Sequence, residues 1–128
     1  MIGRRPSIVS ALEALKPKSE WTLRGETYAD LEWLDEIQTK PTEEEVNAKV
    51  SELEKNEPFK LLRIERNRRL VETDWTQLKD IDLDIIRERN WKNYRQALRD
   101  LPAKSNPKLT ESGQLDMTSV TWPDKPST

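Results

Sequence analysis

Three kinds of side chain in this 128-residue chain have chemistry to offer: 24 carboxylates, an arginine-rich run and five tryptophans. Histidine and cysteine are both absent. That double absence removes the commonest general base near neutral pH, the best metal ligands and the best nucleophile. It also removes disulfides and iron–sulfur sites. Glycine occurs only at Gly3, Gly25 and Gly113, so no glycine-rich loop is present to cradle a phosphate. Paired carboxylates can still work as acid and base, but nearly all of these acidic residues fall on patterns of solvated helix faces. The expectation is a chain that is not an enzyme and needs no metal or other cofactor.

The run Arg63-Ile64-Glu65-Arg66-Asn67-Arg68-Arg69 can in principle meet phosphates, yet Glu65 and Glu72 lie within helical reach and should pair with its arginines. Residues 1–60 carry 9 basic and 13 acidic side chains and residues 61–100 carry 10 and 8. Neither stretch is the strongly basic footprint of a nucleic-acid binder, so no nucleic-acid partner is expected. The tryptophans are the anomaly, because the chain has only one Phe and two Tyr beside them. Tryptophan either staples a thin core or anchors an interface. Trp75 and Trp91 read first as core. Trp91, Tyr94, Arg95 and Leu98 share one broad helix face that suits either hairpin packing or a peptide groove. Trp122, in a polar tail, suits docking onto its own body or onto another chain. Trp21 and Trp33 flank a hairpin where a partner strand can add. The candidate partner-binding residues are therefore Trp21, Trp33, Trp91, Tyr94, Arg95 and Trp122.

These residues need elements to hold them. Ile8, Leu12 and Leu15 follow Ser7 at helical spacing, and Pro17 stops that short helix. Aromatic and β-branched residues on both sides of Arg24-Gly25, then alternation through Leu31 and Trp33, predict a two-strand hairpin from Trp21 to about Leu34. Thr42 and Glu45 form a capping box for a long helix in which Pro58 marks either a kink or a second start. Leu83, Ile86, Asn90, Tyr94, Ala97, Leu98 and Leu101 predict another helix, capped by Asp82 and ended by Pro102. The two long helices should form an antiparallel helical hairpin. The fold class is mainly α with a small β-hairpin (α+β), divided into an N-terminal helix and hairpin module at 1–40, a helical hairpin at 41–102 and an extended, polar C-terminal tail at 103–128. Ile, Leu, Val and Phe number 28 of 128, which predicts one thin core completed by a partner. No apolar run reaches the roughly 20 residues of a membrane span, and the opening residues lack the pattern of a secretory signal.

Three motifs, in this order and spacing, carry a resemblance: Arg66-Asn67 with Leu70 and Thr73-Asp74-Trp75; Trp91 with Tyr94-Arg95-Gln96 and Leu98-Arg99-Asp100-Leu101-Pro102; and Trp122-Pro123 with Pro126. Together, over roughly residues 58–126, they resemble the bacteriophage tail assembly chaperone family associated with tail fibres. The resemblance implies a small phage protein that helps a tail-fibre protein, usually a trimer, to fold or assemble in the host cytoplasm. In some relatives it stays bound in the virion tail. It further implies Asp74 and Trp75 as cap and packing anchor of the helical hairpin, with Trp91, Tyr94 and Arg95 on the facing helix and Trp122-Pro123 closing over it or engaging the fibre. The stretch from Lys108 to Met117 is long for the pattern. Competing readings are a permanent structural adaptor of the tail or baseplate and, from the arginine run alone, a nucleic-acid-binding regulator.

Overall fold

Backbone N–H groups at a helix start have no partner within the helix, so short polar side chains decide where each helix begins. The computed structural model describes residues 5–127. In α1 (Ile8–Leu15), the Ser7 N–H donates to Ser10 Oγ at 2.7 Å, and that hydroxyl donates back to the Ser7 carbonyl at 2.9 Å. In α2 (Glu43–Val71), the Glu45 N–H donates to Thr42 Oγ1 at 3.1 Å and the Thr42 N–H to Glu45 Oε1 at 3.0 Å, which is the expected capping box. The Thr42 N–H, and after it the Thr42 hydroxyl, hold the Glu45 carboxyl below its ordinary value. Pro58 sits inside α2, so it does not start a second helix.

The start of α3 (Ile85–Lys104) differs from expectation. Asp84, not Asp82, is the cap and accepts from the Arg87 N–H at 2.8 Å. Two aspartates stand two residues apart in this loop, and spacing alone does not choose between them. The buried stripe shifts with the later start: Trp91, Tyr94, Leu98 and Leu101 are buried, whereas Ile86 and Asn90 are exposed. Pro102 does not end the helix. It lies in the last turn, where only one bond is lost to its missing N–H, and the helix runs to Lys104 before Ser105 closes it.

The hairpin spans the expected residues, but its strands are short and its turn is longer than expected. Strands β1 (Trp21–Leu23) and β2 (Leu31–Trp33) pair antiparallel with Trp21 opposite Trp33 and Leu23 opposite Leu31. The connection is not a two-residue Arg24-Gly25 turn but a loop closed by a 3₁₀ turn at Tyr28–Asp30. The Asp30 carboxylate accepts from the Thr27 N–H at 3.2 Å and from Thr27 Oγ1 at 2.9 Å, and these bonds lower its pKa. It packs so closely on Gly25 that any Cβ there would collide with it. Gly25 is thus required by a close approach rather than by a tight turn.

The fold separates into two units, the chain up to Glu57 together with Glu111–Gln114, and Pro58–Thr110 together with the chain from Leu115. In the first, Ala11, Leu12, Leu31 and Val46 form the buried core, with Trp21, Trp33 and Tyr28 packed against it. In the second, α3 runs antiparallel to the C-terminal half of α2. Leu62 packs with Leu101 at one end, and Leu70 joins Trp91, Tyr94 and Leu98 at the other. The chain after α3 is not merely extended: Leu109 bridges Leu115, a 3₁₀ turn forms at Met117–Ser119, and Val120 is buried against Leu62 and Leu101. No helix among the described residues is long and apolar enough to cross a membrane.

Candidate partner-binding site

Four of the six candidate residues, Trp91, Tyr94, Arg95 and Trp122, come together in the second unit. Helical spacing puts Trp91, Tyr94 and Leu98 on one face of α3, and the 3₁₀ turn Asp74–Gln77 after α2 brings Trp75 over it. The Trp75 and Trp91 rings meet edge to face at 5.3 Å between centroids, and Trp91 meets Tyr94 likewise at 6.0 Å. Such T-shaped pairs set the positive edge of one ring on the negative face of the next. Trp91 is only 1% exposed, and its indole N–H has no hydrogen-bond partner. The Trp122 indole N–H is buried and unpartnered as well.

Arg95 ties the two helices together. One nitrogen, Nη1, donates to the Leu70 carbonyl at 3.2 Å, to Thr73 Oγ1 at 2.6 Å and to Asp74 Oδ1 at 3.1 Å. Thr73 is fully buried, and its hydroxyl also donates to the Leu70 carbonyl at 2.7 Å. The guanidinium therefore satisfies the C-terminal end of α2, where carbonyls lack partners and the helix dipole favours a cation. Asp74 serves as an acceptor for Arg95, and Trp75 serves as a packing element beside it.

Trp122 docks on the same unit, touching both of its buried clusters. The Arg69 guanidinium lies over its ring, 4.0 Å from the centroid. Arg69 is held there by Glu65 at 2.9 Å, and Glu65 also pairs with Arg68 at 2.7 Å. Mainly through the Arg68 bond, and further through Arg69, the Glu65 carboxyl is pulled down to about 2 against the opposing effect of partial burial. Arg68 is raised by the same pairing, and it also contacts Glu72. The pairing expected for the arginine run is thus present, with Lys125 of the tail approaching Glu72 at 3.8 Å.

Trp21 and Trp33 belong to the first unit, half-buried and facing each other across the strand pair. The Trp33 indole donates to the Gln38 carbonyl at 2.9 Å. Sequence reasoning did not foresee Arg69 over Trp122 or Thr73 beneath Arg95, and it passed over a cleft of about 540 Å³ beside Trp91, lined by Lys79, Lys92, Arg95 and Arg99 with Glu88. The helical members of that set recur at three- and four-residue steps along α3, a signal present in the sequence and left unused. Among the described residues no group of acidic side chains is arranged to hold a metal ion.

A family model described as phage tail assembly chaperone protein matches residues 59–127. That span covers nearly all of the second unit and every residue that carries the three motifs. No curated protein matches the chain, and no solved structure does.

Proposed function

The chain belongs to the phage tail assembly chaperone family, and we propose that its client is the tail-fibre protein, which it binds without catalysing a reaction. The observation that carries this reading is the convergence of the family motifs in one folded unit, where they build a tryptophan cluster braced by Arg95 and closed by Trp122. An intertwined fibre must bring several chains into register through non-local contacts, a slow process that leaves apolar surface and strand edges open to aggregation. A chaperone that binds the folded or assembling form in preference to the unfolded chain shifts that balance by mass action. In this reading Trp91, Tyr94, Arg95 and Trp122 form or support one contact surface, and Trp21 and Trp33 present the short sheet as another. The action takes place in the host cytoplasm, on a trimeric fibre.

Co-expression with the tail-fibre protein of the same phage is the test. The expected result is a higher yield of folded, trimeric fibre, and an unchanged yield overturns the proposal. The docked tail also favours a second reading, a permanent adaptor of the tail or baseplate. Mass spectrometry of purified particles separates the two: a fixed ratio of this chain to fibre means retention in the virion, and absence removes the adaptor.

A further inference from the structure

The cleft beside Trp91 has features that neither the family nor the proposed client assigns to a ligand. One wall is a face of α3 that carries Glu88, Lys92, Arg95 and Arg99, and the other is the connection to α3, with Lys79, Leu78 and Ile81. Lys79, Lys92 and Arg99 are exposed, and none of the three forms an ion pair among the described residues. Arg95 is balanced by Asp74. Glu88 is the only carboxylate in the lining. Asp80 and Asp82 of the same connection lie outside it, and Asp84 is committed to the α3 cap and Arg87. The cleft therefore offers an excess of cations in a chain whose net charge is −2.

Two further observations define the occupant. Leu78 is 62% exposed on the wall and Ile81 is partly exposed, so the site offers apolar contact beside its charges. Trp91, which contributes to the lining, holds a buried N–H donor without an acceptor. A buried donor left unsatisfied is costly. We propose that this cleft binds an acidic peptide segment of a protein partner, with its carboxylates on Lys79, Lys92 and Arg99 and an apolar side chain against Leu78 and Ile81. The inference rests on the proposed function in one respect, that the occupant is a protein.

The test uses the full chain and three fluorescent probes: a synthetic peptide of aspartates and glutamates interspersed with leucine, the same peptide with lysines in place of the acids, and a short DNA duplex. Anisotropy should show binding of the acidic peptide alone, weakening as salt is raised because the contacts are exposed. The Lys79→Glu/Lys92→Glu variant should lose about tenfold in affinity, while Lys55→Glu, remote in sequence and outside the lining, should bind as the parent does. Far-UV circular dichroism should be unchanged in both variants, because none of the three lysines makes an ion pair among the described residues. Equal binding of the acidic and basic peptides, full affinity in the double variant, or tighter binding of DNA each overturns the proposal. Failure here together with improved fibre yield in co-expression would remove the cleft and leave the client reading standing. A double variant that binds no acidic peptide yet still raises fibre yield would show that the client docks elsewhere.

Discussion

At the scale of single residues, Arg95 matters more for the acceptors it satisfies than for its charge. Replacing it with Met leaves the buried Thr73 hydroxyl oxygen without its incoming donor, while the Leu70 carbonyl keeps the Thr73 N–H and hydroxyl, and the expected cost is about 2 kcal/mol. Asp74, largely exposed, gives an ion pair screened by solvent, so Asp74→Asn should cost less than about 1 kcal/mol. Urea midpoints of the two variants check the ranking. Glu65 makes a pH prediction. Its carboxyl ordinarily titrates near 4.5 and in the fold near about 2. Because the folded value is depressed, its contribution is fully present above pH 4.5 and is lost as the pH falls toward 2. After screening around the exposed Arg68, the contribution is about 2 kcal/mol. Stability measured across that window should fall in the parent chain, and Glu65→Gln should remove that component of the slope.

At the scale of elements, the helix starts show how far local chemistry reaches. The Thr42 and Glu45 box was legible because both partners lie within one turn and need no tertiary context. The α3 start was legible only to within two residues. Asp82 and Asp84 have the same chemistry, and the choice falls to the packing that puts Trp91, Tyr94 and Leu98 inside. Asp84→Ala should therefore cost about 1 kcal/mol, and Asp82→Ala almost nothing, in thermal or urea unfolding. The hairpin turn was misread for a related reason. Arg24-Gly25 has the look of a tight turn, but the Asp30 carboxylate binding Thr27 offers the loop a competing local structure, and Gly25 serves that packing instead.

At the scale of the whole molecule, a chain expected to hold one thin core has buried clusters in two units, with the boundary inside α2 between Glu57 and Pro58. The cluster around Leu12 and the cluster around Leu98 share no residue. Leu12→Ala and Leu98→Ala should each cost about 2 to 5 kcal/mol, and in the double variant the two costs should add. A coupling well above about 0.5 kcal/mol in that cycle would contradict independent clusters. The family match from residue 59 onward begins almost where the second unit does, so the part of the chain with a recognisable history is also a physical unit.

The sequence by itself determined the class of protein, the family and the existence of each helix. Those follow from composition, from motif order and from periodicities that act over a few residues. Only the tertiary structure decided that Pro58 lies within one helix, that Trp122 docks under Arg69, and that Arg95 spans to Thr73 and Leu70. The last two depend on groups 20 or more residues apart finding one another, as Arg95 and Thr73 do. It also decided that four cations of α3 and its connection line one cleft beside an unpartnered indole. A charge on a helix face looks the same in sequence whether it meets solvent or borders a groove, and the difference is made by what packs across from it.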